Sequence, residues 1–437
     1  MTPLDWFKKE KPLLGLLGSG GGASIGAATF EPITVRYILI GGRGAGGSAQ
    51  GGGGGGAGAV RYAQIEIEGG VNHPYQVGGG GASTPYSPGS PVPANIDGDQ
   101  SWFTSPTVTA GYGGGGGSQG ADPTGTGEED HGRVGGDLGG SGGGGGIKDY
   151  SAASPGGPAA PVTGHPEINN PQGSKYGGGN GFAGPGGGSG NRGGGGGGSN
   201  DHGSSAGHGG PVNGGPTQNP GSRMTGGEGA PGFEMPGTYL PNDARPHMTN
   251  LQPTAYGWFG YSTSIPSPEN FLGMKAPTVP QTYQNYFGSG GGGGAERSTG
   301  GNGGGGPDFA TNGNYGGGGN GAGAPGYNLP ETGGTGAPGL NGRGSGGGGG
   351  GPDSAYAGAG PGPTQPSPNI GHAGGSGILI IQYPKARTAV ASQPTYTNII
   401  TSTPDPVGHD YFIAIGPAGP SKGFSFPHPG QGDIQFQ

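Results

Sequence analysis

Two stretches of this chain are continuously apolar and almost everything between them is not. Residues 33–40, Ile-Thr-Val-Arg-Tyr-Ile-Leu-Ile, are β-branched and aromatic with partial alternation and stop at Gly41. Such a run predicts a strand. Its counterpart is Gly377-Ile378-Leu379-Ile380-Ile381-Gln382-Tyr383, ended by Pro384. Weaker strand signals lie at Val60 to Ile67, around Tyr75-Gln76-Val77, and over Ser101 to Thr109, where Pro106 interrupts. Two more, Thr397 to Thr401 and Tyr411 to Ile415, follow Pro384. No stretch has the 3.6-residue apolar period of an amphipathic helix. The two best strands bracket the chain's body, so a sheet pairing them would hold its ends together.

That body, from about 110 to 376, is written in glycine runs such as Gly193 to Gly198 and Gly346 to Gly351, with Gly51 to Gly56 ahead of it. Aromatic residues stand at the heads of runs: Tyr112, Tyr176 and Tyr315 directly precede glycine, as does Tyr286-Phe287. The spacing is irregular, unlike the fixed period of the common solenoids. Residues 222–287 depart from it, carrying Met224, Phe233, Tyr239, Tyr256, Trp258, Phe259, Tyr261 and Phe271 among prolines. They form either an inserted subdomain or a set of long loops.

Composition sharpens the question. Of 437 residues 124 are Gly and 45 are Pro, 27% are hydrophobic and 10% charged. Gly plus Pro at this level without a period usually marks low complexity. Disordered chains, however, are charge-rich and aromatic-poor, and this chain has 18 Tyr, 13 Phe and 3 Trp. Collagen needs Gly at every third position, and triplets such as those in Gly336-Ala337-Pro338-Gly339-Leu340-Asn341-Gly342 break down within a few residues.

Ordered glycine has one further use. The extended three-fold helix has three residues per turn and no internal hydrogen bonds, so its amides and carbonyls need outside partners. Without side chains, neighbouring helices approach closely enough to supply them, with Cα–H···O contacts in support. Glycine runs are then core, and Asn, Ser, Pro and Tyr at their ends are turns and caps.

The net charge of −8, with 18 Lys and Arg scattered along the chain, provides no basic stripe for nucleic acid. Cysteine is absent, which removes disulfides and thiolate chemistry. No segment reaches the roughly 18 to 20 apolar residues of a membrane span, so no membrane insertion is expected. Residues 1–31 form a separate leader. Lys8, Lys9 and Lys11 ahead of Leu13 to Leu17 sketch a signal peptide, but Gly15 and Gly18 break the apolar part. Trp6, Phe7, Leu13, Leu14, Leu16 and Leu17 read instead as anchors of a docking peptide, the alternative being a frayed terminus.

Several motifs imitate chemistry. Gly42-Arg43-Gly44-Ala45-Gly46-Gly47 has the G-x-G-x-x-G spacing of a dinucleotide site, which requires a helix next. Gly51 to Gly56 follows instead, and glycine is a poor helix former. Asp97-Gly98-Asp99 lacks the remaining ligands and closing Glu of a calcium loop, so a tight turn is expected. Glu128-Glu129-Asp130-His131 and Asp201-His202 could bind metal or be solvated loops, with no second ligand group spaced to complete a site. Neither a nucleophile elbow nor a paired-carboxylate arrangement is present. The chain reads as non-enzymatic, without cofactor or metal.

The order of segments resembles the glycine-rich domain of phage tail-fibre and other virion surface proteins. The likeness rests on Tyr37-Ile38-Leu39-Ile40-Gly41-Gly42, Gly56-Ala57-Gly58-Ala59-Val60-Arg61-Tyr62, and Tyr75-Gln76-Val77-Gly78-Gly79-Gly80. It continues through Ser101-Trp102-Phe103, Thr107-Val108-Thr109-Ala110-Gly111 and Gly374-Gly375-Ser376-Gly377 with the strand after it, covering about 32–384. The leader, Asp5-Trp6-Phe7-Lys8-Lys9-Glu10, is similar to openings of marine phage structural proteins.

The resemblance implies a mainly β and irregular fold with almost no α-helix. An antiparallel β element joins the first and last strands of a glycine-rich body of packed polyglycine II helices. The expected units are a docking leader (1–31), the glycine-rich domain (32–384, with the 222–287 insertion) and a small C-terminal β/irregular segment (385–437). The implied function is host recognition from the virion surface, on tail or fibre, in multiple copies. Partners would be other virion proteins at the leader and a host polysaccharide or outer-membrane protein. Tyr239, Tyr256, Trp258, Phe259 and Tyr261 are the candidate receptor contacts, because aromatic rings supply contact area at low entropic cost; they could equally pack a small core. A decoration protein of head or tail without a receptor role is the alternative. A free ice-binding protein is a third, disfavoured by leader and insertion.

Overall fold

The computed structural model describes residues 31–48, 52–83, 97–104, 108–117, 133, 135–136, 139–148, 152–153, 156–158, 196, 229, 233–234, 286–294, 339, 346–349, 371–391, 398–401, 409–417 and 430–437. Their regular structure is entirely β. The strands are β1 (Ile33–Ile40), β2 (Val60–Ile67), β3 (Asn72–Gln76), β4 (Ser101–Phe103), β5 (Val108–Ala110), β6 (Ile147–Lys148) and β7 (Ala152–Ala153). They continue with β8 (Phe233–Glu234), β9 (Tyr286–Phe287), β10 (Ile378–Pro384), β11 (Ala389–Ala391), β12 (Asn398–Thr401), β13 (His409–Ile415) and β14 (Gln431–Phe436).

Two five-stranded antiparallel sheets carry the fold, in the orders β12-β13-β10-β1-β2 and β11-β14-β3-β4-β5. As the two apolar runs predict, β1 and β10 lie side by side, Tyr37 facing Ile381 and Leu39 facing Leu379. Strands from beyond Pro384 enter both sheets: β13 pairs with β10, and β14 lies between β11 and β3.

Burial explains why these sequences form these strands. Val35, Tyr37 and Leu39 of β1 join Leu379, Ile381, Tyr383 and Phe412 in one core with Tyr75, Phe103, Ile434 and Phe436 of the second sheet. Rings bridge the two sheets: Tyr37 to Phe103 at 6.1 Å, Tyr75 edge-on to Phe412 at 5.4 Å, and Tyr383 to Phe436 at 5.0 Å. The reverse face of the first sheet is buried too. There Ile38 faces Ile380, which faces Ile413, while Ile40 faces Ile378, which faces Ile415. Burial on both faces is what a continuous apolar run encodes. Edge strand β2 alternates instead, exposing Gln64 and Glu66. Each fully buried Ile, Leu or Phe contributes about 1.5–3 kcal/mol, so among the described residues apolar stabilisation is concentrated in this sandwich.

Next to it, the described segments are mostly glycine. Gly41, Gly44 and Gly47 donate to the carbonyls of Ala59, Gly56 and Gly53 at 3.1, 3.3 and 2.8 Å. Donors climb in threes as acceptors fall in threes, so 41–48 and 52–59 run antiparallel. Ala59, Gly56 and Gly53 in turn donate to Gly111, Gly114 and Gly117. Gly113 and Gly116 donate to Gly42 and Ala45, and Gly114 and Gly117 to Ser141 and Gly144, which are parallel pairings. The three-residue step recurs from Gly291 and Gly294 to Gly55 and Gly52, and from Gly346 and Gly349 to Ser289 and Gly292. A β ladder would repeat every two residues.

Glycine is required here by space. A Cβ at Gly44 would lie 2.0 Å from the carbonyl oxygen of Gly114, and one at Gly55 2.1 Å from that of Gly44.

Candidate functional site

The aromatic insertion has a defined base. Phe233 of β8 faces Phe287 of β9 and Glu234 faces Tyr286, antiparallel. Glu234 and Tyr286, which bracket most of the insertion in sequence, are therefore neighbours on paired strands. Phe287 is fully buried, and Gly288 then turns with φ 84°, a left-handed value that suits glycine. Ser289 delivers the chain into segment 288–294.

Arg43 fixes that junction. Its side chain is fully buried, and Nη1 donates to the Ser289 carbonyl at 3.0 Å. The same carbonyl accepts from Gly346 N at 2.9 Å. Burial lowers the Arg43 pKa well below the ordinary arginine value. The extended guanidinium reaches a carbonyl 246 positions away, so a residue read as the variable position of a nucleotide fingerprint holds the base of the insertion.

The rest of that fingerprint is committed within the protein. The amides of Gly42, Gly44, Gly46 and Gly47 donate to Asp99, Gly56, His372 and Gly53. With these amides turned to internal carbonyls, the segment offers no phosphate cradle of the kind its spacing suggests. His372 lies in the same body, donating its amide to Gly348, and burial lowers its side-chain pKa.

Asp97 binds two groups of the body. Its Oδ1 accepts from Gly115 N at 2.8 Å and its Oδ2 pairs with Arg133 at 3.2 Å. Gly98 follows, where a Cβ would lie 2.1 Å from Arg43 N. Asp97-Gly98-Asp99 thus ties the strands to the glycine segments. Among the described residues no group of three or more His, Asp or Glu is arranged to hold a metal.

The candidate receptor contacts Tyr239, Tyr256, Trp258, Phe259 and Tyr261 all fall between Glu234 and Tyr286 and lie outside the described residues. The docking candidates Trp6, Phe7, Leu13, Leu14, Leu16 and Leu17 also lie outside them, as do Glu128-Glu129-Asp130-His131 and Asp201-His202. The structure adds to the sequence reading the pinched base at β8 and β9 and its link to Arg43. Phe233 and Phe287 were legible as aromatics, but nothing local paired them. No protein-family model, curated protein or solved structure matches the chain.

Proposed function

We propose that this chain is a non-enzymatic phage virion protein of fibre or adhesin type, in which a body of packed polyglycine II helices displays the 222–287 insertion toward the host surface. The observation that carries this reading is the three-residue step of the hydrogen bonds between glycine segments. Three residues per turn is the period of that helix, and the close backbone approaches at Gly44, Gly55 and Gly196 suit a helix without side chains. Segment 52–59 bonds to 41–48, 111–117, 140–146, 288–294 and 346–349, as expected for an interior member of such a bundle.

A body of this kind is stiff and chemically plain. Its backbone groups are consumed internally and few side chains project from it, so recognition falls to whatever leaves the lattice. The base at β8 and β9 supports the insertion as that part, and its link to the buried Arg43 makes the insertion's root rigid. On this reading the leader docks the protein on the particle, in multiple copies at the tail or fibre.

The experiment shortens the insertion without disturbing its base. Residues 235–285 are replaced by Asn-Gly, a pair favoured in two-residue hairpins, in phage carrying the altered gene. Particles should keep the protein and lose adsorption to host cells. Full adsorption would sink the adhesive role and leave a decoration protein. In a second variant lacking residues 1–20, particles should lack the protein; normal incorporation would remove the docking role of the leader.

A further inference from the structure

We infer that the outer face of the second sheet is a binding platform for a neutral oligosaccharide, centred on Trp102. This surface is separate from the 222–287 insertion and does not depend on the adhesin reading.

The strand pairings set the face. His73, Tyr75, Phe103, Ile434 and Phe436 turn into the sandwich, so alternation puts Asn72, Pro74, Gln76, Trp102, Gln431, Asp433 and Gln435 on the opposite side. In the pairing register Gln431 faces Gln76, Gln76 faces Trp102 and Trp102 faces Thr109, one row across β14, β3, β4 and β5 in which Gln76 and Thr109 are buried while Gln431 and Trp102 stay partly exposed. Asp433 faces Pro74 in the next row, and Gln435 faces Asn72 in the one after.

The row is hydrogen-bonded around a single oxygen. Gln76 Oε1 accepts from Trp102 Nε1 at 3.1 Å and from Gln431 Nε2 at 2.8 Å. Gln76 Nε2 donates to the Gln100 carbonyl at 3.3 Å, which fixes which way the amide points. The indole N–H is thereby satisfied inside the protein and the ring is held in one orientation while remaining partly exposed. A fixed ring costs little ordering entropy on binding. Its negative face attracts the polarised C–H bonds of a sugar ring.

Two departures from ordinary strand rules sit at the same place. Pro74, which cannot donate, sits within β3 opposite Asp433, one residue outside the β3–β4 register that begins at Tyr75. Thr104, directly after β4, has φ 60°, a left-handed value that is strained for a β-branched residue. The two are joined, Thr104 N donating to the Pro74 carbonyl at 2.9 Å. Local rules are broken most often where a surface is used, and the partly exposed residues beside these two on this face are Trp102 and Asp433.

Charge selects the occupant. The facing positions hold amides, Thr109 beside the ring, one proline, one carboxylate and, beyond Gln435, the exposed Val390, with no Lys or Arg among them, in a chain of net charge −8. An anionic glycan or nucleic acid finds no counter-charge among these described positions, and a protein partner would want a larger apolar patch. A neutral polyhydroxylated chain matches amides bordering one aromatic face. Neighbouring strands are about 4.8 Å apart, close to the length of one pyranose ring, so successive sugars would fall over successive strands.

The test uses the full chain labelled with 5-fluorotryptophan, whose three resonances belong to Trp6, Trp102 and Trp258. Trp102→Phe identifies the resonance of interest. Cellohexaose, chitohexaose, mannohexaose and maltohexaose are titrated in turn. At least one should shift the Trp102 resonance in a saturable way, and Trp102→Ala, which lacks that resonance and is compared with the native chain by titration calorimetry, should weaken that binding about tenfold or more, or 1.4 kcal/mol. Trp102→Phe, which keeps a ring and the fold, should retain part of the affinity. The proposal is overturned if none of the four moves the Trp102 resonance at millimolar concentration, or if Trp102→Phe and Trp102→Ala bind as the native chain does. A shift confined to Trp258 would also overturn it, and would favour the insertion as the sugar-binding part.

Discussion

Ser101 of β4 reaches across to β1: its Oγ donates to the Ile40 carbonyl at 2.7 Å and accepts from Gly78 N at 2.9 Å. One hydroxyl joins the two sheets at the point where three chain segments pass from strand into glycine. Ser101 is fully buried, so neither partner can turn to water if it is removed. Leaving a buried donor or acceptor unsatisfied costs about 1–3 kcal/mol each. Ser101→Ala should therefore lose roughly 2–6 kcal/mol, read as a lower denaturant midpoint at unchanged slope. A midpoint equal to that of the native chain would mean the hydroxyl does not link the sheets.

A methyl group at Gly44 should be far more damaging than its size suggests. Its Cβ would sit 2.0 Å from the Gly114 oxygen, and the obstacle is backbone held by bonds on both sides. Gly114 N donates to Ser141, while its carbonyl accepts from Gly56. Overpacking a tight interior costs typically about 1–3 kcal/mol and occasionally more; Gly44→Ala should reach the upper end and reduce soluble yield. Thr34→Ala, at an exposed strand position, should stay within about 0.5 kcal/mol. Equal midpoints for the two variants would contradict the close packing of 41–48 against 111–117.

Tyr383 gives the sandwich an alkaline limit. Burial, with a smaller contribution from Asp410 on the facing strand, pushes its pKa up from 10.0 to about 12. Between those values the unfolded chain releases the phenolic proton while the folded one retains it, so stability falls as pH rises from about 10 to 12. The loss is of order 1–3 kcal/mol. Tyr383→Phe should flatten this part of the stability–pH curve, with a pH-independent loss of about 1 kcal/mol for the hydrogen bond its hydroxyl makes with the Ala389 backbone. Absorbance titration at 295 nm should show one tyrosine fewer ionising before unfolding. An unchanged alkaline slope in the variant would assign the limit to other groups.

The sequence disclosed the strands that are buried on both faces. Residues 33–40 and the run after Gly377 could hardly be anything else, and their mutual pairing followed from their positions at the two ends of the glycine. It was less informative where a strand exists only because a neighbour does. β14, Gln-Gly-Asp-Ile-Gln-Phe, offers only Ile434 and Phe436 as apolar alternation, and it forms because β3 and β11 bond both its edges. The Trp102 row was invisible for the same reason. Gln76 and Gln431 are 355 positions apart, and only the register of β14 on β3 brings them together. Arg43 looked like a spacer between glycines until its long side chain met Ser289.

The step of three between bonded glycines also constrains how such a chain can change length. Where donors at 41, 44 and 47 meet acceptors at 59, 56 and 53, inserting or deleting three residues carries every later amide forward by one whole repeat and returns it to the same side. A change of one or two residues swings all later amides toward a different neighbour. Related chains should accordingly differ inside paired glycine runs by multiples of three, with free length variation only at the turns between them.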